Sequence, residues 1–228
     1  MERMLNICEK FGFKNNLKFS TDDNPAKSKT KCMYICGPNI KSPNYPVPLK
    51  LYGKDLPWVK HANHLGHEIH EDGTMNLDTN IKRAEFIRKS SELRDLFSFA
   101  VPSQVLKAVS VYSCHFYGSM LWDLYGEGAG KVYRSWNSCV KLAWNVPRST
   151  HNYFVESLLS KSFCSVRGQI LSQYMSFIQR LRKSTSYEVK IMSHISAADV
   201  RSQMGKNIDN IRLEFGINPW VTTENVQK

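Results

Sequence analysis

The chain has 228 residues, and its 31 Lys and Arg against 20 Asp and Glu leave a formal net charge of +11. With 42% hydrophobic and 11% aromatic residues it has material for a core, which excludes wholesale disorder. No apolar run is long enough to span a bilayer and the first residues lack a signal-peptide core, so the reading is a soluble intracellular protein, nucleus and cytoplasm being indistinguishable. Six scattered cysteines, Cys8, Cys32, Cys36, Cys114, Cys139 and Cys164, fall short of a disulfide scaffold and read as free thiols.

Glu2 to Phe13 carries Met4, Leu5, Cys8 and Phe11 at three-and-four spacing, which predicts an amphipathic helix ended by Gly12. Asp22 to Tyr45 is rich in Lys, Ser, Pro and Asn and has the composition of a linker. Within it, Lys29 to Ile35 alternates and predicts a strand, with Thr30, Cys32 and Tyr34 opposite Lys31, Met33 and Ile35. Leu49 to Tyr52 and Leu56 to Val59 predict a hairpin turning at Gly53-Lys54-Asp55, and His64 to Ile69 one further strand closed by Asp72-Gly73.

Beyond Gly73 every signal is helical. Asn76 and Asp78 cap a helix running through Phe99, and Pro102 to Leu124, Gly130 to Trp144, Thr150 to Leu159, Ser165 to Arg182, Glu188 to His194 and Ala198 to Phe215 follow. The expected fold is α+β and predominantly helical: a small antiparallel sheet with one helix (residues 1–72), a helical bundle (73–160) and a helical extension (161–228).

Four elements in fixed order carry a family likeness: Met4-Leu5-x-x-Cys8-Glu9-x-Phe11-Gly12; Asn24-Pro25-x-Lys27-Ser28-Lys29-Thr30-Lys31-Cys32-Met33; His64-Leu65-Gly66-His67-x-Ile69; and Tyr117-Gly118-x-x-Leu121-Trp122. Together they resemble the end of the reverse transcriptases of non-LTR (LINE-type) retrotransposons, over about Met1 to Leu159. The resemblance implies a palm remnant with a primer-grip-like hairpin in residues 1–72 and a thumb in 73–160. It implies RNA or DNA primer-template as partner, held through Lys29 and Lys31 near the incoming nucleotide and through His64, Leu65 and Gly66 at the primer grip. Lys27-Ser28 fits the same strand in another register.

The family's polymerase chemistry rests on carboxylates holding two Mg²⁺ ions, in an aromatic-Ala-Asp-Asp element that precedes the first helix. The expectation is therefore a truncated, non-catalytic chain with no cofactor, Mg²⁺ belonging only to an intact polymerase. Ser20-Thr21-Asp22-Asp23 imitates the element but runs into Asn24-Pro25 and a Lys/Ser stretch, which is turn chemistry. Two alternatives stay open: a chain competent for polymerisation when separate palm and fingers join it, and a helical protein-interaction module recruited by the host.

Lys82, Arg83, Arg88, Lys89 and Arg94 alternate with Ile81, Ala84, Ile87, Leu93 and Phe97, which predicts a basic rail for phosphates over an inward apolar stripe, partly offset by Glu85, Glu92 and Asp95. Arg167, Arg180, Arg182 and Lys183 form a second basic region. Tyr112, Phe116, Tyr117, Trp122, Tyr133, Trp136 and Trp144 read as core. His61, His64, His67 and His70 recur every third residue, but on a single strand they alternate faces and cannot close a tetrahedral site. Gly126-x-Gly128-x-Gly130-Lys131 lacks the spacing of a phosphate loop and reads as an interhelical turn. Cys114-His115 and His151 show no elbow or positioned base for a nucleophile.

Overall fold

A computed structural model describes residues 1–22, 24, 27–35, 47–159 and 165–217. Asp23 of the adjacent carboxylates, Pro25, Cys36, Cys164, the composition break at Lys161 and much of the linker-like stretch lie outside them. The fold is α+β and predominantly helical, divided into two compact units, Met1–Leu77 and Asp78–Lys228.

In the first unit α1 (Glu2–Lys14) has an acidic residue in its first turn and a basic one in its last, both matched to the helix dipole. Gly12 lies inside this helix instead of ending it, and it is buried because the chain returns at its side: a Cβ there would stand 2.7 Å from both the Leu17 carbonyl oxygen and the Tyr52 hydroxyl. Leu5 packs on Leu49, Leu51 and Leu56, whereas Met4 and Phe11 face solvent. The Glu9 carboxylate accepts the Tyr52 backbone N–H, and the Phe13 and Tyr52 rings meet edge to face at 5.6 Å.

That small core sits on a hairpin of β1 (Lys50–Leu51) and β2 (Lys54–Asp55), antiparallel with Leu51 opposite Lys54. Its turn is Tyr52-Gly53, both at positive φ, the two-residue form whose twist matches the flanking strands; Lys54 and Asp55 therefore belong to the strand and not to the turn. The predicted strand at Lys29 to Ile35 reduces to a single parallel bridge from Cys32 to Trp58. Ser28 explains part of the loss: its hydroxyl donates to the Thr30 carbonyl at 2.7 Å, a local bond that competes with ladder pairing.

The second correction concerns the histidines. His61–His64 (β3) and His67–His70 (β4) form an antiparallel hairpin turning at Leu65-Gly66, again at positive φ, so this stretch is not one strand. His61 pairs with His70 and His64 with His67. Among the described residues no three His, Cys, Asp or Glu side chains are grouped to hold a metal.

The second unit begins within the first turn of α2 (Asn76–Leu96) and continues with α3 (Pro102–Ser113), which carries its proline in the first turn, where the missing N–H costs nothing. The predicted single helix Pro102 to Leu124 ends at Ser113 and gives way to a 3-10 turn, Ser119–Leu121, entered through Gly118 at φ +80°. In an unbroken helix Phe116 and Trp122 would point about 120° apart. The break lets both join Phe86: the Phe116 ring lies 5.8 Å from each of the other two, and all three are essentially without exposure.

α4 (Glu127–Ala143), α5 (Tyr153–Leu158), α6 (Val166–Lys183), α7 (Tyr187–Ala198) and α8 (Gln203–Phe215) complete the unit. Gly126 caps α4, and Gly128 and Gly130 lie within it. Ser165, Ser186 and Ser202 cap the last three helices, each hydroxyl accepting a backbone N–H three residues on. α6 buries Val166, Ile170, Tyr174 and Ile178 at four-residue spacing, each side chain contributing about 1.5–3 kcal/mol by leaving water. Buried Asn207 ties α8 to the segment before α4, donating to the Trp122 carbonyl at 2.9 Å and accepting the Leu124 N–H at 3.1 Å.

Candidate nucleic-acid interface

In the first unit, Lys29 and Lys31 are exposed on the segment leading into the Cys32 bridge, and His64-Leu65-Gly66 is the tip of the β3–β4 hairpin, with Leu65 76% exposed. No hydrogen bond or ion pair among the described residues joins the two groups.

The second unit holds Lys82, Arg83, Arg88 and Lys89 on α2, in an orientation the sequence misassigns. Ile81, Ala84 and Ile87 are exposed, so they form no inward stripe; the buried residues are Asp78, Thr79, Phe86 and Ser90. Two contacts set this rotation. The Asp78 carboxylate accepts the Trp122 indole N–H at 2.8 Å, and Phe86 enters the aromatic cluster. Apolar and polar residues are barely segregated around α2, so periodicity alone could not orient it.

The four cations consequently have different environments. Lys89 pairs with Glu85 at 2.7 Å and Arg88 with Glu92, both one helical turn apart. Glu85 is held below the usual carboxylate range, chiefly by its hydrogen bond from Lys89; burial opposes this as the next influence, and the charges of Lys89, Lys82 and Arg88 add to the lowering. Such exposed pairs are worth about 0.3–0.5 kcal/mol, so a phosphate polymer displaces them at little cost. Arg83 turns toward α4 and donates from Nε to the Ser135 hydroxyl at 2.8 Å.

Arg83 thereby enters a cleft of about 400 Å³ between α2 and α4, which Arg94, and Arg148 from the turn after α4, also line. Arg83, Phe86, Ser90 and Arg94 on α2 and Ser135, Ser138, Cys139 and Leu142 on α4 line it, and no periodicity in α2 announces them. Cys139 is no nucleophile there, because burial pushes its thiol up to about 11 despite the opposing influence of the Ser90 hydroxyl and Arg94.

The aromatic residues divide. Phe116, Trp122 and Trp136 are core, as expected, but Tyr112 and Tyr117 are 64% and 65% exposed. Tyr117 borders a groove of about 740 Å³ with His115, Arg180 and Lys183. Arg180 and Lys183 make no ion pair among the described residues, while Arg167 is taken up by Glu214 at 2.6 Å.

Among the described residues no helix is long and apolar enough to cross a membrane. No family model, no curated protein and no solved structure matches the chain.

Proposed function

We propose that the protein holds single-stranded or hybrid nucleic acid by charge and stacking, without catalysing a reaction on it, in the manner of the thumb of the non-LTR reverse transcriptases that its sequence resembles. The observation that carries this reading is the groove beside Tyr117, where an exposed aromatic ring stands with two cations that pair with no carboxylate among the described residues. A ring on which a base stacks, flanked by charges for the backbone, is the arrangement by which proteins hold strands with little sequence discrimination. The displaceable pairs of Arg88 and Lys89 on α2 and the net charge of +11 support it. Lys29, Lys31, His64, Leu65 and Gly66 are proposed as further contacts from the first unit, together with Lys82 on α2.

The test is fluorescence anisotropy with a labelled single strand and an RNA–DNA hybrid across a salt series. Affinity is expected to fall steeply with salt, and Arg180→Glu with Lys183→Glu to reduce the slope by about 0.7 per lost phosphate contact on the single strand. Binding that ignores salt, or a slope unchanged in the double variant, removes this reading. A protein-interaction role is the second reading, favoured by Tyr187, Met192 and Ile195 exposed along α7; salt-indifferent behaviour would point to it.

A further inference from the structure

The cleft between α2 and α4 has a composition that a nucleic-acid backbone does not require. Arg83, Arg94 and Arg148 bring three guanidinium groups to its lining, and among the described residues no acidic side chain lines it. Arg83 and Arg148 have no carboxylate partner among the described residues, and Arg94 meets only the exposed Asp95, at 3.5 Å. The turn that carries Arg148 is pinned independently of its side chain, because the buried Lys141 ammonium donates to the Arg148 backbone carbonyl at 3.2 Å.

A hydroxyl completes the polar side. Ser90 lines the cleft and is only 6% exposed, and its Oγ has no nitrogen or oxygen partner among the described residues, only the weakly accepting thiol of Cys139 beside it. An oxygen acceptor bound in the cleft would give this buried hydroxyl a stronger partner than the thiol. Ser135, already engaged by Arg83, and Ser138 stand on the opposite wall.

The rest of the lining is apolar. Phe86 and Val105 are buried, and Ile87 and Leu142 are 44% and 40% exposed at its edge. Inorganic phosphate would satisfy the arginines but leave this surface wet, and a volume of about 400 Å³ lies within the range of small-molecule sites. A carboxylate brings one charge to three cations, whereas a phosphate monoester brings about −1.5 to −2 at neutral pH and three acceptor oxygens, which guanidinium forks and hydroxyls match.

We propose that this cleft binds a phosphate monoester carried on a flat or apolar body, a nucleoside 5′-monophosphate in the simplest case, with the phosphate on Arg83, Arg94, Arg148 and Ser90 and the body on the apolar lining. The ligand chemistry is shared by a free mononucleotide and by the 5′-phosphorylated end of a strand. The proposal stands apart from strand holding at the Tyr117 groove, and either can fail alone.

The full chain is titrated calorimetrically with adenosine monophosphate, adenosine, inorganic phosphate, and a tetranucleotide with and without a 5′-phosphate. Adenosine monophosphate is expected to bind at least tenfold more tightly than adenosine or inorganic phosphate. Arg148→Ala, on an exposed turn, is expected to weaken it fivefold or more with an unchanged circular dichroism spectrum, and Ser90→Ala about threefold with no loss of thermal stability. A phosphorylated tetranucleotide that binds more tightly than the mononucleotide assigns the site to strand ends, and the reverse assigns it to the free nucleotide; both bear the proposal out. Adenosine or inorganic phosphate binding as tightly as the monophosphate, or an Arg148→Ala protein of unaltered affinity, overturns it.

Discussion

The indole of Trp122 donates its hydrogen bond to the carboxylate of Asp78, 2.8 Å away and 44 residues earlier, with both side chains almost wholly removed from solvent. The pair fixes the start of α2 against the segment that follows α3. Trp122→Phe keeps an aromatic ring but removes the donor, and is expected to cost about 2–3 kcal/mol, as a buried carboxylate loses one of its hydrogen bonds. Urea unfolding followed by circular dichroism measures it; a variant as stable as the parent would show that the bond contributes nothing.

Asn207 should be as sensitive. Its amide serves both the Trp122 carbonyl and the Leu124 N–H. Truncation in Asn207→Ala strands both backbone groups, an expected loss of about 3 kcal/mol, read as a lowered midpoint of thermal unfolding. Arg212→Ala on the same helix breaks only an exposed pair with Asp209 and is expected to change little.

Acid should loosen the junction of α6, α8 and the segment that leads into α4. Glu214 accepts from the Tyr125 hydroxyl at 2.7 Å and from Arg167 at 2.6 Å, and although burial alone would raise its pKa, these two partners together hold it below the ordinary value. A carboxyl depressed in the folded state stabilises fully above its unfolded pKa of about 4.3 and loses that contribution as pH falls through the lower folded value. Glu214→Gln should therefore flatten the acid limb of a plot of melting temperature against pH below about 4.3; a parallel curve would show that Glu214 is not linked to stability.

Gly12→Ala is expected to reverse the usual order of helix propensity. At an open helical position alanine is worth about 1 kcal/mol more than glycine. Here the added methyl meets the Leu17 carbonyl oxygen and the Tyr52 hydroxyl, both at 2.7 Å, and the first of these is backbone that must move. A destabilisation of about 1–3 kcal/mol is expected, with the first unit showing faster amide exchange around Tyr52.

Cys139 should alkylate slowly. With its thiol near 11, roughly one molecule in a thousand carries the thiolate at pH 8, and the rate should keep rising to pH 10 where a free thiol levels off near 8.5. Peptide mass spectrometry after timed iodoacetamide treatment reports this; a plateau near pH 8.5 would contradict the burial.

Element type was legible wherever a single local signal governed it. Ser165, Pro102 and the four-residue spacing of α6 announce their helices, and the α+β, mainly helical class follows from such signals. Where a residue answers to a distant partner, the chain is silent. Nothing near Ile81 tells that Asp78 will be claimed by Trp122, and so the rotation of α2, and with it the placing of Arg83 in a cleft, is decided beyond the reach of local pattern. The split of the histidine run into β3 and β4 was closer to hand: Leu65-Gly66 is a two-residue turn once leucine is allowed a positive φ, which its side chain resists and the paired strands impose. Tyr117 escapes the core because it lies in the irregular stretch between the end of α3 at Ser113 and the 3-10 turn that Gly118 opens, a break that the pattern of large residues hides.

The glutamates that accompany Arg88 and Lys89 behave as counterions already tethered to the helix. Any polyanion that takes those two cations evicts Glu85 and Glu92 as well as dissolved anions, and the evicted carboxylates must recruit sodium or potassium from the medium. Ion uptake then offsets ion release, and the salt dependence of binding at this face will undercount the phosphates in contact with it.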